Sequence, residues 1–153
     1  MGPFARGATA LLATLGAWVV FAQPAGAASL IPASGNFFDV ITSTQVRMAD
    51  GNLIITQTIR QTLTGTFTGT ASQQATTVVH PTGAANFFGS ETCTCTVAGR
   101  SGSLLLGFSG TGAPDGSFEG QFVILSGTGD LANLNGRGTI QSPNSYTGVI
   151  HFD

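Results

Sequence analysis

Gly99-Arg100-Ser101-Gly102-Ser103-Leu104-Leu105-Leu106, and after it Ser126-Gly127-Thr128-Gly129-Asp130-Leu131-Ala132-Asn133-Leu134-Asn135-Gly136-Arg137-Gly138, is the stretch on which the fold turns. Its glycines stand at turn spacing beside apolar runs of strand length. The one short amphipathic piece, Asp130 to Leu134, is fenced by glycines and allows about one helical turn. A chain that builds no long helix here has to cover its apolar strand faces with other strands.

The same pattern extends outward in both directions. Ser103 to Gly110 aligns Leu104, Leu106 and Phe108, and Pro114-Asp115-Gly116 turns the chain because proline fixes φ and glycine accepts φ above zero. Phe118 to Leu125, Gly138 to Gln141 and Tyr146 to Phe152 read as three further strands. Upstream, Ala85 to Val97 puts Phe87, Glu91, Cys93, Cys95 and Val97 on one face and Phe88, Ser90, Thr92, Thr94 and Thr96 on the other. Thr66 to His80 alternates more weakly, and Pro81-Thr82-Gly83 ends it. Leu53 to Thr64 alternates most clearly, with Leu53, Ile55, Ile59 and Leu63 on one side. Gly35 to Arg47 sets Phe38, Val40 and Val46 on one face with Thr42 and Thr44, and Asp50-Gly51 is a hairpin turn. About eight antiparallel strands with short loops must hide their edges, and an all-β, closed or nearly closed barrel is the expected architecture. Such a barrel is either filled by side chains or holds one small ligand.

The 153 residues divide before any of this begins. Met1 to Ala27 has a positive start at Arg6, an apolar run from Gly7 to Ala22 and a small-residue site at Ala25-Gly26-Ala27, the three parts of a secretory signal peptide. The run is shorter than the ~20 apolar residues that span a bilayer. The expectation is export with cleavage near Ala27, a short linker over 28–34, and one barrel domain over 35–153. With Arg6 gone, four arginines face seven acids, a net charge of 4 − 7 = −3. There is no lysine, which excludes lysine Schiff-base chemistry and a phosphate-loop lysine. Scattered arginines make no basic stripe for nucleic acid or, after removal of the signal, for a membrane surface.

Leu63-Thr64-Gly65-Thr66-Phe67-Thr68-Gly69, Phe88-Gly89-Ser90-Glu91, Gly99-Arg100-Ser101-Gly102-Ser103 and Ser126 to Gly136 together resemble an uncharacterised bacterial family grouped with the allene oxide cyclase-like barrels. The resemblance implies a small calycin-like barrel and no assigned activity. In that family's pattern the position of Phe108 is often a histidine near the glutamate that matches Glu91. Here the partner is aromatic, so an acid/base pair in relatives would be half lost in this chain.

Several residues invite chemistry. Glu91 shares its face with Phe87, Cys93 and Cys95; a carboxylate inside a barrel would hold its proton more tightly and could act as general acid or base. It could equally face outward or pair with Arg60 or Arg100. Cys93 and Cys95 would form a disulfide in an exported chain, although strand residues two apart lie ~6.6 Å from each other, near the upper limit for a bridge. Buried free thiols, or a weak metal site completed by Glu91, are the other readings. Gly127-Thr128-Gly129-Asp130-Leu131-Ala132 matches a dinucleotide fingerprint in letters, but Gly136 ends the segment before a helix can form. A glycine corner in which Leu131 and Leu134 plug one barrel end is preferred. His80 and His151 sit at a turn and near the C-terminus, outside any triad context, and there is no Gly-x-Ser-x-Gly.

The residues expected to line an interior site are Phe87, Glu91, Cys93, Cys95, Leu104, Leu106, Phe108 and Phe122, with Glu91 as the catalytic candidate and neither cofactor nor metal expected. Three functions fit: an exported barrel that binds a small apolar molecule, a cofactor-free cyclase or isomerase using Glu91, and a structural or protein-binding domain with a filled core.

Overall fold

The computed structural model describes Ala28 to Asp153, so the expected export signal at Met1–Ala27 lies outside the described residues. Eight strands follow one another: β1 (Ile31–Ala49), β2 (Asn52–Gly65), β3 (Phe67–Val79), β4 (Ala85–Val97), β5 (Arg100–Gly112), β6 (Phe118–Gly127), β7 (Leu134–Gln141) and β8 (Ser145–Phe152). Each is antiparallel to the next, and β8 returns to β1, closing the sheet into a barrel. Among the described residues one 3-10 turn, Gly129–Leu131, interrupts the strands.

Turn chemistry sets this order locally. Asp50 and Gly51 both have positive φ, 50° and 79°, the pair of left-handed residues that a two-residue hairpin requires. Ala98 and Gly99 repeat it at 51° and 77° between β4 and β5.

The barrel is strongly staggered. Paired residues lead from Val46 through Ile55, Thr77, Phe87, Gly110, Gly120, Ile140 and Tyr146, and arrive back on β1 at Gly35, 46 − 35 = 11 residues before the start. Tilt of this kind accompanies barrel closure. Its consequence is an overhang: β8 covers β1 only from Ile31 to Asn36, and the rest of β1, paired with β2, projects past the rim.

Two expectations are corrected. Residues 31–34, expected as linker, are the strand segment that closes the barrel against Thr147–Ile150. The seventh strand begins at Leu134 rather than Gly138, because Leu134 to Arg137 pair with Val149 to Phe152.

One end is packed shut. Leu131, in the 3-10 turn, is fully buried with Val97, Leu104, Leu134 and Ile150, and burying each such side chain is worth roughly 1.5–3 kcal/mol. The dinucleotide reading of Gly127–Ala132 ends here: the turn leads into an antiparallel strand, with no crossover helix to present its N-terminus to a pyrophosphate.

Candidate functional site

The other end opens into a cavity of about 490 Å³. Its walls follow the inward parity of each strand: Ile59, Gln61 and Leu63 from β2, Gln73 and Ala75 from β3, Phe87 and Glu91 from β4, Leu106 and Phe108 from β5, Phe122 from β6. Two aromatic tiers bound it. Phe37, Phe87, Phe108 and Phe118 form a collar with ring centres 6.1–6.4 Å apart. Phe67, Phe122 and Tyr146 form the floor at 5.4–6.3 Å. The Tyr146 hydroxyl donates to the Thr64 carbonyl at 2.9 Å and accepts the Phe67 N–H at 2.9 Å, so the floor is anchored to the β2–β3 turn.

Glycines make room for these rings. A Cβ at Gly89 would stand 2.6 Å from the Phe108 ring, and one at Gly138 would stand 2.5 Å from the Phe122 ring. Each ring lies against a bare backbone on the neighbouring strand, which leaves the centre of the barrel open.

Into this apolar wall the strands set two carboxyl groups, each hydrogen-bonded to a glutamine. Glu91 is only 8% exposed, and Gln73, its cross-strand neighbour, donates Nε2 to Oε2 at 3.3 Å. Asp39, at the rim where β1 has lost its β8 neighbour, accepts Nε2 of Gln61 at 2.8 Å. Burial raises the Glu91 pKa from 4.5 to about 7, the Gln73 hydrogen bond opposes the rise, and the like charge of Asp39 adds to it. Burial also raises Asp39, against the bond from Gln61. Among the described residues, no arginine or histidine lines the cavity.

The two bland alternatives for Glu91 therefore fail: the side chain points inward, and its hydrogen-bond partner is Gln73 rather than Arg60 or Arg100. Arg60 is on the outer face of β2, and the Arg100 guanidinium lies 3.9 Å from the centre of the Phe152 ring. Cys93 and Cys95 are bonded to each other with Cα atoms 5.5 Å apart. A disulfide has no thiolate to offer, so the weighed Cys93–Cys95–Glu91 metal reading does not apply to this structure.

Of the expected lining residues, Phe87, Glu91, Cys93, Cys95, Leu106, Phe108 and Phe122 reach the cavity. Leu104 does not: it is packed into the plugged end. Asp39, Gln61, Gln73 and Tyr146 were not anticipated. A filled core is likewise replaced by an open lumen. His80 links Asn52 (2.9 Å) and Asn86 (2.8 Å) beside the rim, and His151 faces Asp153 at 3.3 Å, both away from the cavity.

Beyond the rim, the overhang extends the inner surface. A bulge between Ile41 and Ser43 shifts the parity of β1, so Ile41, Val46 and Met48, paired with Ile59, Ile55 and Leu53, all continue the inward face. All three are largely exposed, forming an apolar shelf that leads into the cavity.

Comparison with known proteins places these features in a family context. The family model described as "Protein of unknown function (DUF3224)" matches residues 34–153. Among solved structures, a crystal structure of a protein of unknown function from the same family, from Shewanella oneidensis MR-1, is similar in fold with a TM-score of 0.69. Its identity is 19%, over 82% of this chain and 98% of that one. The comparison with curated proteins found no match.

Proposed function

The chain belongs to the DUF3224 family of proteins of unknown function, and from that premise we propose that it is an exported barrel whose lumen takes up a small, largely apolar molecule. The carrying observation is the cavity of about 490 Å³, plugged at one end and open at the other. Ligand pockets occupy roughly 300–1,000 Å³ and are lined mostly by apolar and aromatic groups with a few placed polar ones. The aromatic collar, the floor and the Glu91–Gln73 pair match that description. In this reading Met1–Ala27 directs export and is cut near Ala27, the apolar shelf receives the ligand, and the fold is a counterpart of the allene oxide cyclase-like barrels.

A second reading is favoured by one feature. A carboxyl group whose pKa is about 7 in a largely apolar cavity can both give and accept a proton near neutrality, as a cofactor-free cyclase or isomerase needs.

Native mass spectrometry of the folded protein purified from its own host tests the first reading. A bound small molecule, released on unfolding, is the expected result; folded protein that carries none contradicts it. Incubation with that molecule then separates the readings. Recovery unchanged supports carriage, and conversion that Glu91→Gln abolishes supports catalysis.

A further inference from the structure

Among the described residues, the cavity is lined by two carboxyl groups and no cationic side chain. Asp39 and Glu91 face it from β1 and β4, and its remaining polar side chains are neutral, Gln57, Gln61, Gln73 and Thr77 from β2 and β3, Ser117 from the β5–β6 turn and Tyr146 from β8. Among the described residues only Gln73 hydrogen-bonds to Glu91, and it does so at Oε2. Oε1 of a side chain that is 8% exposed is thus left for whatever enters the lumen. Asp39 likewise receives one bond, at Oδ1.

The amide arrangement reinforces this. Gln61 and Gln73 each spend an Nε2 donor on a carboxylate, so what these four side chains leave unused toward the lumen is dominated by acceptor oxygens. The Tyr146 hydroxyl, which could have donated inward, is already committed to the Thr64 carbonyl. An anionic ligand would meet two like charges and few donors. A neutral apolar ligand would leave Glu91 buried without a counter-charge, at the cost of keeping it protonated. An ammonium group hydrogen-bonded to Oε1 would neutralise Glu91 and be attracted by Asp39, whose charge already acts on Glu91 in the same cavity, and hydrogen bonds between ionised partners are about twice as strong as neutral ones.

We propose that the lumen selects apolar molecules that carry a protonated amine, with the tail in the Phe67–Phe122–Tyr146 floor or the aromatic collar and the ammonium at Glu91, assisted by Asp39. This rests on the reading of the lumen as a ligand site and adds the chemistry of the ligand's head. It carries a pH signature. The ammonium binds the ionised carboxylate, so below about pH 7 each binding event must release the Glu91 proton. Amine affinity then rises with pH, by up to about tenfold per pH unit below that point, and levels off above it.

The test uses three probes that share one tail, n-octylamine, n-octanol and octanoate, titrated by calorimetry into the full folded barrel between pH 5 and 8. The expected order at pH 8 is octylamine tighter than octanol by about tenfold or more, with octanoate weakest. Glu91→Gln should bring octylamine and octanol to near parity and remove the pH slope; Asp39→Asn, at the half-open rim, should lower the preference by a smaller factor. Equal affinity for octylamine and octanol in the wild type, or an amine preference that both variants retain, overturns the inference while leaving apolar uptake standing. Failure of all three probes to bind folded protein overturns it together with the ligand-binding reading.

Discussion

Glu91 shows how a single side chain can be costly to the fold and central to the site. Its pKa is 4.5 in an ordinary setting and about 7 in the barrel, because burial penalises the charge more than the Gln73 amide favours it. Between those values the folded chain keeps a proton that the unfolded chain has already released. Stability is therefore full below about pH 4.5, declines as the pH rises toward 7, and stays low above it. The gap corresponds to a loss on the order of 3 kcal/mol, and Asp39, raised for the same reason, acts in the same direction. Glu91→Gln is expected to flatten that decline and to be more stable than the wild type at pH 8, measured by urea denaturation across the pH range. A variant that keeps the wild-type pH dependence would place the titrating group elsewhere. Glu91 was legible in the sequence because it interrupts an apolar run of fixed parity. Gln57 and Gln61 interrupt the run from Leu53 to Leu63 in the same way, and that signal was available. Asp39 was not legible from alternation, since in β1 the apolar residues Phe38 and Val40 face out and the acid faces in.

At the scale of elements, the turns and the strand parities were readable and the strand ends were not. Residues 31–34 contain a proline and small residues and look like a linker; only the partner β8, some 115 residues away, makes them a strand. Leu134-Asn135-Gly136-Arg137 looks like a turn for the same reason. Its strand character comes from pairing with Val149 to Phe152, and local composition does not encode that pairing. Where local chemistry does govern, it can be improved. Ala98 occupies a left-handed position at φ 51°, where an L-residue with a Cβ is strained by about 1–2 kcal/mol. Asparagine tolerates that conformation, so Ala98→Asn is expected to raise stability by roughly 0.5–1 kcal/mol in chemical denaturation without altering ligand uptake. A loss of stability would mean that the β4–β5 turn depends on something other than its backbone angles.

The whole molecule is a staggered tube with one end closed and the other extended. Closure depends on Leu131, which the 3-10 turn delivers into the buried cluster that also holds Val97, Leu104, Leu134 and Ile150. Leu131→Ala should cost about 2–5 kcal/mol, the range for truncating a fully buried leucine, and a far smaller cost would show that the end collapses around the gap. Leu131 and Leu134 could be recognised as a plug from the glycines around them. The lumen itself could not, because whether rings from opposite walls meet depends on the stagger and on which glycines sit beneath Phe108 and Phe122. Uptake of an apolar molecule into that lumen is the central claim, and fluorescence titration of a neutral dye, N-phenyl-1-naphthylamine, tests it most directly. Ala75, on the inner face of β3 between Gln57 and Gly89, supplies the control, since Ala75→Trp places a large ring in the cavity. Saturable binding of one dye per chain with a blue-shifted emission in the wild type, abolished in an Ala75→Trp variant that remains folded by circular dichroism, is the expected result. Absence of binding in the wild type, or equal binding in both, would contradict it.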